Sequence, residues 1–235
     1  MAEETLTKNP GRRQAQKIRI MLADDHPLLR QALRNVLEKN SDFEVIAEAS
    51  DGEEAVKLAT ELVPDVVIMD ISMPNLNGLE ATKQIKASNP EIAVLVLTVH
   101  TDSEHIMSIL RAGAGGYLTK SVYGDEVTNA VRALVSGETV LSPTISQQIL
   151  KYAFQHSTKP RKLSTGNTLS SRELEVLNLA AKGIPNKDIA TKLGLSLRTV
   201  KGYLADLFLK LNVASRTEAV IVGLRRGLLT LDDLE

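Results

Sequence analysis

No stretch of this chain narrows its possible folds more than Val66-Val67-Ile68-Met69-Asp70. Four consecutive apolar residues, three of them β-branched, end abruptly on an acid, and Ile71-Ser72-Met73-Pro74-Asn75 follows. An unalternating apolar run suits a strand covered on both faces, as in a parallel sheet flanked by helices. Pro64 before the run and Pro74 after it favour a strand bounded by loops over a buried helical segment. Open α/β sheets place their chemistry at the carboxyl ends of the strands, which is where this reading puts Asp70. A carboxylate there can be a nucleophile, a metal ligand or a loop cap.

The flanking sequence repeats the pattern. Lys17 to Ala23 reads as a strand that stops at Asp24-Asp25-His26-Pro27, and Pro27 suits the first turn of the helix that follows. Glu44 to Ala49 is a second strand, and Asp51-Gly52 opens a second helix. After Asp70 the turn 75–78 leads to a helix through Leu79, Thr82 and Ile85. Ala93 to Thr98 is another buried strand, followed by a helix over about 103–112. Tyr117-Leu118-Thr119 is a short fifth strand, and the last helix of this part runs over about 124–136. Five alternations of strand and helix predict a doubly wound, five-stranded parallel sheet with helices on both faces. The segment from 144 to 154 is expected to form a connecting helix, and 156–168 is rich in linker residues. Beyond it the strands disappear and four short helical patterns follow. The expected organisation is a mobile tail at 1–16, an α/β domain at 17–137, a linker at 138–165 and a smaller all-α domain at 166–235.

Charge supports two jobs. From Arg161 onward 12 Lys and Arg face 8 Asp and Glu, a net +4, which leaves −5 for the rest of a chain whose total is −1. An acidic front and a basic back suggest a second job with an anionic polymer, ordinary surface variation being the alternative. Cysteine is absent, which removes disulfide and thiolate chemistry and fits a reducing compartment. No apolar run approaches the length of a membrane span, so neither a membrane partner nor a membrane location is expected, and a cytoplasmic one is.

Placed side by side, the strand ends form a constellation. Asp24 and Asp25 follow the first strand, Asp70 ends the third, Thr98 ends the fourth and Lys120 follows the fifth. Three carboxylates and one ammonium sum to −2, and like charges a few ångströms apart suppress one another's ionisation. A hard divalent cation with oxygen ligands, Mg²⁺ foremost, brings the sum to zero.

Asp24-Asp25, Asp70 with Met73-Pro74 and Gly78, Thr98, and Tyr117 three residues before Lys120 resemble the receiver domain of bacterial two-component response regulators, a flavodoxin-like fold. The resemblance spans about residues 17–137. It implies that Asp70 accepts a phosphoryl group from a sensor histidine kinase. It also implies that Asp25, Asp70 and the backbone carbonyl of Ser72 hold Mg²⁺, with Asp24 acting through water. Lys120 would neutralise a phosphoryl oxygen, and Thr98 with Tyr117 would form the switch: the hydroxyl moves to the new phosphoryl and the ring follows. Tyr117 as a plain core aromatic is the alternative. One departure is Ser121, where many receivers carry proline after a cis bond; before serine that geometry would cost about 3 kcal/mol. His100, two residues past Thr98, reads as a loop histidine, solvated or influencing water attack on the acyl phosphate.

The last region opens with Ser170 and Glu173, spaced as a capping box. Gly183 stops that helix, 186–193 forms a second, and Gly194-Leu195-Ser196 turns into a third. There Val200, Leu204, Leu207, Phe208 and Leu211 make one inward stripe. Helix, tight turn and helix is the arrangement that lays a recognition helix in the major groove. SSRELEVL, NKDIATKLGLS, RTVK, KLNV and SRTEAV resemble the DNA-binding domain of the LuxR/NarL class, over most of residues 165–226. The resemblance implies that Arg198, Thr199 and Lys201 face DNA, with Lys187 near the backbone. The recognition helix continues through Gly202, Tyr203 and Ala205, where the class commonly carries bulkier or basic residues. Readout is then modest, or carried partly by Tyr203, unless that ring packs on a neighbouring helix. Ser215 with Glu218 starts a final helix whose Ala219, Val220, Val222 and Gly223 are expected at a homodimer seam.

The expected function is a phosphorylation-dependent transcription regulator that meets a sensor kinase, promoter DNA, its own copy and RNA polymerase. Its only chemistry would be gain and loss of phosphoryl at Asp70. An aspartate-nucleophile phosphatase is the enzyme rival, but that chemistry wants a second acid two residues after the nucleophile, where this chain has Ser72.

Overall fold

The computed structural model describes residues 17–99, 103–121, 124–142, 145–149, 169–230 and 233. The N-terminal part alternates β1 (Ile18–Ala23), α1 (Pro27–Leu37), β2 (Phe43–Ala49), α2 (Gly52–Leu62), β3 (Val66–Asp70), α3 (Gly78–Ser88), β4 (Ala93–Thr98), α4 (Ser103–Arg111), β5 (Gly116–Thr119) and α5 (Asp125–Val135). All five residues of β3 are buried, as a strand covered on both faces requires.

The strand order is β2-β1-β3-β4-β5-β6, with every pairing parallel. Alternate side chains of the central strands feed two cores. Val67, Met69, Val94 and Val96 pack with Ala55, Ala81, Ile85, Ile106 and Leu110 of α2, α3 and α4. Val66, Ile68, Leu95 and Leu97 pack on the opposite side with Leu37 of α1 and with Val127, Val131 and Leu134 of α5. The order reverses between β1 and β3, so the crevice at their carboxyl ends is the topological switch point where doubly wound folds bind ligands.

The sixth strand is a difference from the sequence reading. β6 (Val140–Leu141) extends the sheet beside Gly116 and Tyr117 of β5. Two residues carry no periodicity, and they lie in the stretch expected to be linker. The strand forms because the turn at Gly137, at φ +80°, sends the chain back along the β5 edge. Residues 145–149 are helical (α6), with Ile145 and Ile149 buried. The rest of the expected connecting helix lies outside the described residues.

The C-terminal part is all helix: α7 (Ser171–Ala181), α8 (Asn186–Leu193), α9 (Leu197–Leu211) and α10 (Arg216–Arg225). The Ser170 box forms in both directions, and Ser196 caps α9 through Thr199 N–H at 3.0 Å. At Ser215 the hydroxyl accepts from Glu218 N–H, but the Glu218 carboxylate turns to Ala214 N–H, at 2.9 Å, so the cap is one-sided. Val176, Ile189, Val200 and Leu204 form one apolar cluster; Leu177, Leu207, Leu211 and Ala219 form the other. Among the described residues no helix is long and apolar enough to cross a membrane.

One close approach ties fold to site. A Cβ built on Gly78 would stand 1.9 Å from the carbonyl oxygen of Asp70, so α3 can start beneath the end of β3 only on a glycine. Gly78→Ala must therefore push α3 away from β3. The expected cost is about 1–3 kcal/mol, read as a lower urea midpoint; an unchanged midpoint would show that the loop yields freely.

Candidate functional site

The carboxyl ends of β1, β3, β4 and β5 bring Asp24, Asp70, Thr98 and Lys120 to one edge of the sheet. Asp24 and Asp70 are each 3% exposed. Burying a carboxylate is costly unless it is paired, and Lys120 supplies the partner. Its Nζ lies 2.8 Å from Asp24 Oδ2 and 2.8 Å from Asp70 Oδ2. Burial works against the ammonium, but its pairing with Asp24 and Asp70 outweighs this and holds the Lys120 pKa above the ordinary lysine value. The loop bearing Lys120 is fixed by its backbone N–H on the Thr98 carbonyl, at 2.8 Å. Asp24 is fixed in turn: its N–H meets the Ala49 carbonyl, and its own carbonyl accepts from Arg30.

One ammonium among three acids leaves the pocket at −2. Asp25 Oδ1 and Asp70 Oδ2 are buried without a hydrogen bond of good direction, close though His26 and Lys120 stand. Asp24, Asp25, His26 and Asp70 each turn a ligand atom to a common point, all within 4.8 Å of one another. Ser72, whose backbone carbonyl is the fourth expected ligand, lines a cavity of about 480 Å³ with Asp70, Lys120 and His26. Hard oxygen donors, surplus negative charge and unsatisfied buried oxygens fit a divalent cation such as Mg²⁺.

Thr98 and Tyr117 are both buried, at the end of β4 and inside the α4-side core respectively. Among the described residues no peptide bond is cis, so the chain passes Lys120-Ser121 in trans; Thr119 and Ser121 share a hydroxyl hydrogen bond of 2.7 Å. His100 lies outside the described residues.

In the helical part Lys187, Arg198, Thr199, Lys201, Gly202 and Ala205 are exposed, five of them on α9. Tyr203 is different. It is half-buried against the Val176, Ile189 and Val200 cluster, so its packing role is the one the structure supports. The expected dimer residues also divide. Ala219 and Gly223 face their own domain: Ala219 joins the Leu207 and Leu211 cluster, and a Cβ on Gly223 would meet Leu229 at 2.9 Å. Val220 and Val222 remain half-exposed.

Three residues with decisive contacts escaped the sequence reading. Glu91, in the loop before β4, pairs with Lys201 at 2.9 Å. Arg216 is half-buried at the start of α10, where it donates to the carbonyls of Ala180, Ile184 and Gly137, the last at 2.7 Å. Burial pulls its pKa down to about 10. Ile221 of α10 is 4% exposed and joins the α/β core cluster that includes Ile106 and Leu110 of α4. Contacts between distant parts of the chain leave no local periodicity.

Comparison with known proteins agrees with this geometry. Residues 20–132 match the response regulator receiver domain, and 167–222 match the luxR family of bacterial regulatory proteins. The chain is 39% identical over 211 residues to the transcriptional regulatory protein LiaR of Bacillus subtilis, covering 90% of this chain and 99% of that one. It is 37% identical over 217 residues to the response regulator UvrY of Escherichia coli K12, covering 92% and 98%. A solved structure of two RcsB dimers bound to two parallel DNAs is similar at 26% identity and a TM-score of 0.53, covering 90% and 99%.

The cation fit has a direct consequence. Mg²⁺ at a hundred times its Kd should stabilise the fold by about 2.7 kcal/mol, a rise in Tm that EDTA reverses and Asp25→Ala loses. An equal rise in Asp25→Ala would place the ion elsewhere.

Proposed function

Because the chain belongs to the LuxR family of two-component response regulators, which are DNA-binding regulators of transcription, we propose that phosphoryl transfer to Asp70 controls its grip on promoter DNA. A carboxylate oxygen of Asp70 attacks phosphorus, the bond to a sensor kinase histidine breaks, and an acyl phosphate forms. Asp25, Asp70 and the Ser72 carbonyl would hold Mg²⁺, with Asp24 acting through water; the ion supplies charge neutralisation to the phosphoryl oxygens. Most catalysis of this transfer is positioning and electrostatics, and Lys120 already stands beside Asp70 to take one oxygen. Thr98, at the end of the neighbouring strand, would donate its hydroxyl to another, with Tyr117 following into the space.

The observation that carries the control mechanism is the position of the recognition helix. Lys201, expected to face DNA, is held by Glu91, while Ile221 of α10 is packed on the α4 side of the receiver. The two contacts differ in weight. Both partners of the ion pair are substantially exposed, and exposed pairs are worth about 0.2–1 kcal/mol. Burying an isoleucine is worth about 1.5–3 kcal/mol, so the α10 contact is the main restraint and Glu91 a lock on the DNA face. Movement of Thr98 acts on α4, the helix that follows β4, and so on α10. A tenfold shift toward the open form needs about 1.4 kcal/mol, within reach of a few charge-assisted hydrogen bonds.

Release would free α9 to enter a groove, bringing Lys187, Arg198, Thr199, Lys201, Gly202 and Ala205 to DNA, with Val220 and Val222 at a two-fold dimer seam. The solved RcsB relative is a dimer on DNA, and the same assembly is proposed for this chain. It would work in the cytoplasm, at promoters where RNA polymerase is the next partner. The phosphatase reading gains nothing from the geometry, since position 72 offers no acid side chain.

Incubation with acetyl phosphate and Mg²⁺ should add one phosphoryl mass, labile to hydroxylamine and absent in Asp70→Asn; an unlabelled wild type, beside a labelled control receiver, would refute the reading. Two substitutions should move DNA affinity in opposite directions. Glu91→Ala should tighten binding by the unphosphorylated chain about two- to fivefold. Lys201→Ala in the phosphorylated chain should weaken it and lower the slope of log K against log salt by about 1. Affinities that do not respond would mean that neither residue sits on the DNA face.

A further inference from the structure

We propose that His26 adds a nitrogen ligand to the acidic pocket and makes it favour a first-row transition dication, Mn²⁺ being the probe, over Mg²⁺. The inference rests on the phosphoacceptor reading of that pocket and concerns which ion it takes.

Three observations carry it. First, the imidazole has no helix-capping duty. His26 is the N-cap of α1, a position where Ser, Thr, Asp or Asn would bond the first-turn amides, yet its side chain makes no cap hydrogen bond. The entry is made by the backbone instead: the His26 carbonyl accepts from Leu29 and Arg30 N–H, and Pro27 occupies the first helical position.

Second, the ring is aimed at the carboxylates. Nδ1 lies 2.6 Å from Asp25 Oδ1 and 3.2 Å from Asp24 Oδ1, while the His26 backbone N–H pins Asp24 Oδ1 at 2.9 Å. The buried Asp25 Oδ1 has no well-directed hydrogen bond despite that short approach. The 3.2 Å between Nδ1 and Asp24 Oδ1 is close to the edge of a coordination octahedron, and the 2.6 Å to Asp25 Oδ1 is shorter than one. Neighbouring ligands of an octahedron with bonds near 2.1 Å stand about 3.0 Å apart. The ligand atoms of Asp24, Asp25, His26 and Asp70, within 4.8 Å of one another, can therefore surround one ion. The imidazole is 67% exposed at the mouth of the cavity that reaches Asp70, which gives the ion an entry path.

Third, donor chemistry sets the preference. Mg²⁺ takes oxygen ligands and parts with water reluctantly. Imidazole suits first-row transition ions, whose affinities for mixed nitrogen and oxygen sites rise from Mn²⁺ toward Cu²⁺. A nitrogen ligand favours these ions over Mg²⁺ more than a further oxygen would, so a histidine beside the paired acids tilts the pocket toward them.

The test uses the full chain and reads metal binding, not phosphorylation. Free Mn²⁺ would be followed by its EPR signal and Mg²⁺ by calorimetry, in wild type, His26→Ala and Asp70→Asn. His26→Ala should weaken Mn²⁺ at least about tenfold, since even outer partners of metal ligands are worth 10- to 100-fold in affinity, and leave Mg²⁺ within about twofold. Asp70→Asn should weaken both. Pulsed EPR of the Mn²⁺-loaded wild type should show ¹⁴N coupling from a directly bound nitrogen, a readout independent of how well the variant folds. Unchanged Mn²⁺ affinity in His26→Ala, a parallel loss of both ions, or no ¹⁴N coupling would each overturn the proposal. If Mg²⁺ binds and Asp70 is labelled while His26 proves irrelevant, only this inference falls; if neither ion binds the wild type, the phosphoacceptor reading falls with it.

Discussion

The Lys120 ammonium, held between Asp24 and Asp70, is the interaction on which the receiver's upper edge depends. Two carboxylates almost wholly removed from water would otherwise repel one another at the ends of β1 and β3. The lysine reaches them from the loop after β5, across β4, so its pairing ties together the carboxyl ends of three strands. It does not neutralise the pocket. With Asp25 alongside, the charge remaining suits a cation, which the proposed phosphoryl transfer to Asp70 requires. The same residues therefore hold the fold's edge and keep it reactive, a compromise expected where function competes with stability.

Chemistry and output lie at different places on the molecule, and the structure supplies a physical link. Thr98 ends β4, and the next helix, α4, is the one α10 packs against. Beyond it, Arg216 reaches from α10 to the Gly137 carbonyl at the end of the receiver, and Asn186 N–H bonds the Ser136 carbonyl at 3.3 Å. Gly137 is needed there, since a Cβ would stand 2.1 Å from the Asn186 side chain. The helical domain thus sits on the receiver through apolar packing, the Glu91–Lys201 ion pair and half-buried hydrogen bonds to backbone. Contacts of this mixed kind suit a two-state arrangement that a charge change can bias.

Much of this was legible in the chain. The unalternating 66–70 run predicted a strand buried on both faces, and β3 spans those same residues. The acids and lysine at strand ends predicted a shared pocket because parallel strands deliver their carboxyl ends to one side. What was not legible is non-local or very short. β6 is two residues and is specified by the β5 edge it pairs with. Tyr203 had two readings, and burial against the α7 and α8 cluster favours packing. Ala219 and Gly223 looked like a surface seam because small residues also line interfaces, yet they face their own core. Glu91, Arg216 and Ile221 act across the domain boundary, where spacing along the chain carries no signal. His26 was read only as part of the run before Pro27; its proposed role rests on side-chain geometry that the sequence does not show.

The central claim is that charging Asp70 loosens α10 from α4 and frees α9. Amide hydrogen exchange on the full chain, with and without saturating beryllium fluoride and Mg²⁺, reads that coupling residue by residue. The account predicts faster exchange in α10 and at the seam around Ser136 to Glu138 once Asp70 carries the phosphoryl mimic, with the sheet core unchanged. Stoichiometric occupation of Asp70 with unaltered protection across α10 and the seam would contradict it.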